Sequence, residues 1–327
     1  MGNPSQTVRE MRAFALTGPG AAPAMIDVPE PTVADGIVVR VTYAGANPVD
    51  YKKLDRLGPT ASYPVIVGQD FAGVVTAVPA DEKDFRPGDR IFGTAAQRGA
   101  YAEMTAVRPD SYGEPIARVP DGLSLRTAAG LPTSALAALG CVDALLVKTG
   151  TRLLILGAAG AVGGFALQMA HSRGAHVIGT VRGTGADDAR SLGATEVYDS
   201  TDEDPRATIH QAHPEGFDAI LDLVSGKADF ARDIDLLSAG GRVASTIGAA
   251  DIPAFAARGM HAVNFVVADA PESSRSGLER VAVLALDNVI DVRIGEEFAF
   301  DEAATMFHDL RAGTLRGKAL LDVARGR

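Results

Sequence analysis

The sequence has 327 residues, of which 46% are hydrophobic and 22% charged, a composition typical of a folded globular protein. Because a single hydrophobic core rarely grows beyond about 250–300 residues, this length predicts two domains. The net charge of −10 disfavours nucleic acid and anionic membrane surfaces as partners, and no apolar stretch reaches the roughly 20 residues that a membrane span needs.

The N-terminus lacks a basic region followed by an apolar one, so it does not resemble a secretory signal. Cys141 is the single cysteine and cannot form an internal disulfide. We therefore expect a protein of the reducing cytoplasm.

The first ~125 residues are rich in glycine and proline and contain short β-branched runs. Short strands between turn residues predict an irregular β barrel or sandwich. The predicted strands are 36–43, 65–67, 72–78, 89–92 and 101–107.

An alanine- and leucine-rich stretch follows, from Ser124 to about Lys148. Its good helix formers predict helix, but Pro132 lacks the backbone N–H that a helix interior requires. We expect two helices rather than one.

Strand and helix patterns then alternate as far as about residue 270, with strands at 152–156, 176–181, 196–198, 219–223 and 242–247. Such alternation predicts right-handed βαβ units and a parallel sheet. The tail, residues 277–327, has a different pattern. It predicts helices at 278–286 and 301–310 and strands near 289–298 and at 319–323. We assign it to the N-terminal domain, which becomes discontinuous.

A glycine-rich segment joins the apolar strand 152–156 to a predicted helix that begins at Ala161. A tight turn between a parallel strand and its helix lets backbone N–H groups approach a pyrophosphate, and small residues remove the steric obstacle. The segment therefore predicts a dinucleotide site, whose contact residues are Gly157, Ala159, Gly160, Ala161, Val162 and Gly163.

The next strand ends Gly179-Thr180-Val181-Arg182, without the carboxylate that binds the adenosine ribose in NAD-specific sites. The guanidinium of Arg182 and the hydroxyl of Thr180 suit a 2′-phosphate, so we predict NADPH as the cofactor. Ligands of open α/β sheets lie beyond the carboxyl ends of the strands. Val224, Ile247 and Gly248, which lie at the ends of two later strands, are therefore further predicted contacts.

No zinc site is expected, because residues 1–140 contain neither histidine nor cysteine. His210 and His213 could share a helix face, but no thiol lies near them in the sequence, and we expect both at the surface.

In their order along the chain, several segments resemble the zinc-free quinone oxidoreductase branch of the medium-chain dehydrogenase/reductase superfamily. The matching segments are 44–52, 68–75, 85–93, 99–103, 131–132, the glycine segment and 317–320. The resemblance implies a Rossmann domain, a doubly wound parallel α/β sheet, at residues 127–270. It also implies a GroES-like, β-rich catalytic domain at 1–126 plus 271–327.

The segment Asn47-Pro48-Val49-Asp50-Tyr51-Lys52 is most similar to enone and alkenal reductases of that branch. Their matching asparagine and lysine line the pocket beside the nicotinamide, which implies catalytic roles for Asn47 and Lys52, with Tyr51 or solvent delivering a proton. The resemblance also implies a contact of Tyr198 with the adenosine half and a homodimer joined near residues 264–268. Asp50 is expected to be structural, pairing with backbone or lysine.

The implied activity is hydride transfer from NADPH to a small-molecule α,β-unsaturated carbonyl or quinone. Two alternatives remain open: an enoyl-thioester reductase of fatty-acid or polyketide metabolism, which a basic patch for a carrier phosphate would favour, and a non-catalytic NADPH-binding protein.

Overall fold

A computed structural model of the chain describes residues 9–109 and 111–325. The chain divides into two compact units. The first comprises Met1–Thr133, Ser274–Ala282 and Ile294–Arg327, and the second comprises Ser134–Ser273 and Val283–Arg293. The domain limits expected from the sequence, at 126 and 271, stay a prediction.

The secondary structure is given in chain order. The first stretch contains β1 (Glu10–Leu16), β2 (Ala24–Pro29), β3 (Ile37–Gly45), α1 (Pro48–Leu54), β4 (Val65–Ile66), β5 (Asp70–Ala77), β6 (Arg90–Thr94), β7 (Met104–Val107), β8 (Ile116–Arg118) and α2 (Leu125–Ala129). The middle stretch contains α3 (Pro132–Ala144), β9 (Arg152–Leu156), α4 (Ala161–Ser172), β10 (His176–Val181), α5 (Ala186–Ser191), β11 (Glu196–Asp199), α6 (Pro205–Ala212), β12 (Phe217–Asp222), α7 (Lys227–Asp233), β13 (Leu237–Ser245), α8 (Ile252–Ala257) and β14 (His261–Asn264). The last stretch contains α9 (Arg275–Leu286), β15 (Ile294–Ala299), α10 (Ala303–Ala312) and β16 (Lys318–Asp322).

The first unit is built on two sheets. The larger has the order β15-β16-β3-β5-β6-β8, with β7 pairing β3, and the smaller has the order β2-β1-β4. Their inward side chains form a core that contains Phe14, Phe71 and Phe300. This is the predicted GroES-like, β-rich fold, in which β16, near the end of the sequence, pairs with β3.

The second unit is a six-stranded parallel sheet of order β11-β10-β9-β12-β13-β14. Its strand order reverses beside β9, the first strand, as in a doubly wound dinucleotide-binding fold. Residues Leu153 to Ile155 of β9 are completely buried, as expected of a strand covered on both faces. The predicted Rossmann sheet is confirmed.

The predicted elements agree with the structure in part. The prediction of two helices at 124–148 is confirmed by α2 and α3, the second of which begins at Pro132. The elements that were not predicted from the sequence are β1, β2, α1, β8, α6, α8 and β14. Across the part of the chain that the structure describes, no helix is both long and apolar enough to cross a membrane.

Candidate functional site

The glycine segment forms the turn between β9 and α4 in the second unit. Gly157 adopts a left-handed backbone with φ of 94°, and Gly160 is the N-cap of α4. The backbone N–H groups of Gly157 and Ala158 both donate to the Thr180 carbonyl, at 3.2 and 2.8 Å. The turn is therefore fixed to the neighbouring strand β10 as well as to its own strand.

Small side chains let the turn and the first turn of α4 approach closely. A Cβ atom at Gly163 would overlap the carbonyl oxygen of Gly157. Ala159 and Gly160 are exposed, whereas Ala161 and Val162 are half-buried. The segment thus presents the N-terminus of α4 without side-chain obstruction, which fits the pyrophosphate of a dinucleotide.

Two apolar side chains lie exposed at the carboxyl end of the sheet. Val224 is 64% exposed and Ile247 is 39% exposed. A Cβ at Gly157 would lie 2.7 Å from a methyl group of Val224, so this side chain is adjacent to the turn. Gly248, with φ of 73°, follows Ile247. Exposed apolar groups next to a dinucleotide turn are suited to contact a ligand.

A buried hydrogen-bond network that the sequence analysis missed holds these two strand ends. The Asp222 carboxylate accepts hydrogen bonds from the backbone N–H groups of Val224 and Ser225, at 3.2 and 2.9 Å. Its second oxygen accepts from the Ser245 hydroxyl at 2.9 Å. Polar residues ending two apolar strands, Asp222 and Ser245, were the available signal.

The predicted 2′-phosphate residues have different environments. Arg182, directly after β10, is exposed. Thr180 is buried, and its hydroxyl accepts a hydrogen bond from the Gly157 N–H at 3.2 Å. Asp199, at the end of β11, accepts from Thr201 and from the Gly183 N–H, and hydrogen bonds led by the one from the Thr201 backbone lower its pKa. Arg182 is thus the exposed cation at this strand end.

The side chain of Tyr198 contacts other residues of the second unit. Its hydroxyl donates to Glu196 at 3.0 Å and lies 3.2 Å from Nε2 of His213. Burial, followed by the Glu196 carboxylate, raises the pKa of Tyr198 to about 12. The expectation that both His210 and His213 are surface residues is wrong for His213, which is buried and tilted against the Phe217 ring.

In the first unit, Asn47 is a buried residue at the junction of β3 and α1. Its Nδ2 donates to the Asp70 carboxylate at 2.8 Å and to the Gly45 carbonyl at 3.3 Å. Its Oδ1 accepts from Nζ of Lys318 at 2.7 Å. Because both amide hydrogens are engaged, the side chain of Asn47 is fixed inside the unit.

Asp70 lies at the centre of this cluster and is completely buried. It accepts from Lys318 Nζ at 3.2 Å, from the Thr133 hydroxyl at 2.5 Å and from the Thr133 backbone N–H at 3.1 Å. The Thr133 hydroxyl in turn accepts from Nε2 of Gln69 at 2.8 Å. Lys318 and Thr133 were not predicted as members of this cluster, because they lie 248 and 63 positions from Asp70.

Asp50 occupies a second buried position close to Asn47. Its Oδ2 accepts from the Asn47 backbone N–H and from the Tyr101 hydroxyl, each at 2.8 Å. Among the described residues its Oδ1 has no hydrogen-bond partner. Burial above all, with a contribution from the charge of Asp70, raises the pKa of Asp50 to about 7. The bond from the Asn47 backbone agrees with the structural role expected for Asp50.

A glycine makes the Tyr101 contact possible. Gly68 has φ of 81°, and a Cβ there would overlap the Tyr101 ring. The ring therefore lies directly against the backbone just before β5 and reaches Asp50 from there.

The other two predicted catalytic residues lie on α1. Tyr51 is half-buried and packs against the core, with the Arg311 guanidinium 5.4 Å from its ring centre. Lys52 is exposed. Its neighbour Lys53 donates to the Ala96 carbonyl, and burial lowers its pKa.

Comparison with known proteins gives matches to both parts of the chain. Residues 33–121 match the alcohol dehydrogenase GroES-like domain, and residues 161–267 match the zinc-binding dehydrogenase family. A pig quinone oxidoreductase is 31% identical over 242 residues, which are 71% of this chain and 71% of the pig protein. The chain belongs to the quinone oxidoreductase branch of the medium-chain dehydrogenase/reductase superfamily.

Two further relatives support membership of this branch. An NADPH-dependent alkenal/one oxidoreductase of Arabidopsis thaliana chloroplasts is 31% identical over 268 residues, 76% of this chain and 65% of the plant protein. The solved quinone oxidoreductase of Coxiella burnetii is 29% identical, with a TM-score of 0.85 over 96% of this chain and 100% of that one. The chain is thus an NAD(P)H-dependent oxidoreductase of the branch.

Members of this superfamily include zinc enzymes, in which several side chains together bind the metal. Across residues 9–109 and 111–325, no group of three or more histidine, cysteine, aspartate or glutamate side chains is placed to hold a metal ion. Asp70 instead pairs with the ammonium of Lys318. The expectation that the reaction proceeds without zinc stays a prediction.

Proposed function

We propose that this oxidoreductase uses NADPH to reduce an α,β-unsaturated carbonyl compound or a quinone. The observation that carries the proposal is the preformed small-residue turn between β9 and α4, with exposed Arg182 at the end of the adjacent strand. The printed activities of the relatives, quinone oxidoreductase and NADPH-dependent alkenal/one oxidoreductase, support this acceptor class.

The second unit offers the groups that would hold the cofactor. The backbone of Gly157 to Gly163 would bind the pyrophosphate, and Val224, Ile247 and Gly248 would line the adjoining surface. Arg182 would bind the 2′-phosphate through its forked donors. When bound, the cofactor supplies the hydride, which adds to the β-carbon of the acceptor.

The first unit offers the groups that would act on the acceptor. As the β-carbon gains a hydride, the electron pair of the double bond moves to the carbonyl oxygen, and a proton from solvent or Tyr51 completes the reduction. Lys52 would stabilise the negative oxygen as an ammonium. Asn47, whose amide hydrogens are engaged by Asp70 and Gly45, would position the start of α1 rather than bind the acceptor.

Two parts of the proposal concern the whole protein. We propose a homodimer, on the basis of the family resemblance, and a cytoplasmic location, on the basis of the single cysteine.

The test follows NADPH oxidation with p-benzoquinone, cyclohexenone, trans-hexenal and crotonyl thioester. We expect the protein to reduce the quinone or the enone and to reduce the thioester at a much lower rate. A preference for the thioester would favour the enoyl-thioester reductase, and NADPH binding without any turnover would favour the non-catalytic protein.

Lys52 is tested in the same assay. Lys52→Met should lower kcat for the preferred acceptor at saturating NADPH by about 10- to 100-fold, since it removes one donor to a developing oxyanion. Lys83→Met, which removes another exposed lysine, is the control and should leave kcat unchanged. Equal rates for both variants and the wild type would exclude Lys52 as the electrophile.

A further inference from the structure

Gln69 is the partly exposed end of a hydrogen-bond chain that starts at a buried ion pair. Lys318 and Asp70 pair at 3.2 Å with side chains 2% and 0% exposed. From Asp70 the chain runs to the Thr133 hydroxyl at 2.5 Å, and from Thr133 to Nε2 of Gln69 at 2.8 Å. Gln69 itself is half-buried. All four residues belong to the first unit.

The direction of each hydrogen bond in this chain is determined by Asp70. Its contacts with Lys318, Asn47 and the Thr133 backbone are all with donors, so it acts as an acceptor. The Thr133 hydroxyl has one hydrogen, and the short bond to a carboxylate uses it. Thr133 can therefore only accept from Gln69.

This constraint fixes the orientation of the Gln69 amide. The amide must turn its nitrogen, not its oxygen, toward Thr133, which resolves an ambiguity that side-chain amides usually carry. An amide nitrogen has two hydrogens, and Thr133 takes one. Within the described part of the chain, neither the second hydrogen nor Oε1 of Gln69 has a protein hydrogen-bond partner.

We infer that Gln69 is a substrate-binding residue whose second amide hydrogen donates to the carbonyl or quinone oxygen, with Thr133 as its positioning residue. The inference rests on the proposed function, because hydride addition places negative charge on that oxygen. A fixed neutral donor stabilises such charge more in the transition state than in the ground state. Asn47 cannot do the same, since both of its amide hydrogens are engaged.

The first test replaces Gln69 with a residue of similar volume that has no donor. Gln69→Met should lower kcat/KM for the preferred acceptor by about 10- to 100-fold, mainly through kcat, with the Kd of NADPH within about twofold of wild type. Gln211→Met makes the same chemical change at an exposed position of α6 and should leave both quantities unchanged.

The second test separates positioning from simple structure. Thr133→Val removes the hydroxyl that orients Gln69 and should lower kcat by about 3- to 30-fold, whereas Thr133→Ser retains the hydroxyl and should restore it to within about threefold of wild type. A merely structural Thr133 would give equal kcat values for the two variants once both are shown to be folded by their thermal midpoints.

A binding measurement keeps this inference distinct from the proposed function. Cyclohexanone, which has the oxygen but cannot be reduced at a β-carbon, should bind Gln69→Met about 3- to 10-fold more weakly than wild type in calorimetric titrations, with or without NADP⁺. If the wild type reduces no enone or quinone, the proposed function fails, whereas unchanged cyclohexanone affinity in Gln69→Met overturns the role of Gln69. Turnover of Gln69→Met within threefold of wild type overturns it equally.

Discussion

Two buried carboxylates of the first unit, Asp50 and Asp70, have different surroundings. Asp70 faces the Lys318 ammonium and several other donors, whereas Asp50 has two donors and, among the residues that the structure describes, one oxygen without a partner. Since burial of a charge without a counterion is costly, Asp50 retains its proton to a higher pH than an ordinary aspartate does.

Asp50 should therefore make stability depend on pH. Its pKa is about 7 in the folded protein, against an ordinary value of 3.8. Between about pH 4 and pH 7 the unfolded chain releases a proton that the folded protein keeps, so the free energy of unfolding falls as pH rises, by up to about 1.4 kcal/mol for each pH unit. Asp50→Asn, which cannot ionise, should lose this contribution.

Urea denaturation of the cofactor-free protein from pH 4 to pH 8 measures the effect. The wild type should lose stability relative to Asp50→Asn as pH rises through this window. Asp187→Asn changes a fully exposed carboxylate and serves as the control. If the wild-type and Asp50→Asn curves ran parallel, Asp50 would not be the group that retains its proton.

Arg182 is the residue predicted to determine the preference for NADPH over NADH. Arg182→Ala should weaken NADPH binding by roughly 1–3 kcal/mol, the scale of a charge-assisted hydrogen bond, with little change for NADH. Fluorescence titration with each cofactor measures both affinities. Arg190→Ala, on the adjacent helix α5, removes an exposed arginine that pairs with Asp187 and should change neither. An equal loss of affinity for both cofactors would show that Arg182 does not bind the 2′-phosphate.

At the scale of elements, the approach of α4 to the glycine turn depends on one atom position. Gly163 faces the Gly157 carbonyl oxygen, whereas a Cβ at Gly164 would lie 3.4 Å from a methyl group of Leu192, an ordinary contact. The two adjacent glycines of one helix thus provide a matched pair.

Gly163→Ala should separate α4 from the turn, lower the thermal midpoint and weaken NADPH binding by at least about tenfold, because the added methyl meets backbone rather than a movable side chain. Gly164→Ala should bind NADPH normally and gain up to about 1 kcal/mol from its better helix propensity. Thermal unfolding and NADPH titration compare them. Similar behaviour of the two variants would exclude close backbone approach as the reason for Gly163.

The predictability of elements followed the strength of their local pattern. The strands β9 and β10 were predicted with their observed limits, because both are continuous apolar runs bounded by turn residues. In contrast, β1 and β2 were missed. They form a short antiparallel ribbon, and β1 also pairs with the distant strand β4, with Ala15 opposite Ile66. Strand formation of this kind depends on tertiary contacts rather than on local periodicity.

The candidate site likewise has parts that could be predicted from local sequence and parts that could not. The glycine turn could be predicted because its strand, turn and helix are contiguous in the sequence. The hydrogen-bond chain from Lys318 to Gln69 could not be predicted, since its members come from β16, the start of α3 and the start of β5. Family resemblance drew attention to Asn47 and Lys52, but only the folded arrangement shows which amide hydrogens are engaged.

At the scale of the whole molecule, β14 is the outer strand of the second unit's sheet and pairs only with β13 among the described strands. Val266, just beyond it, is 52% exposed. An open edge beside an exposed apolar side chain suits the sheet-edge dimer that the family resemblance implies.

Val266→Glu should therefore convert a dimer into a monomer, because it would place a charge at the interface expected near residues 264–268. Light scattering after gel filtration gives the molar mass of each variant. Val33→Glu, which changes an exposed valine of the first unit, should remain dimeric. A monomeric wild type, or a dimeric Val266→Glu, would place the interface elsewhere or remove it.

The position of Lys318 has a consequence for the way the protein is made. This lysine lies 248 residues beyond Asp70 and 271 beyond Asn47, yet it neutralises the first and orients the second. During synthesis from the N-terminus, β3 and β5 leave the ribosome long before β16, and burial of Asp70 at that stage would leave a charge uncompensated. The first unit therefore cannot complete this buried cluster until β16 has been synthesised.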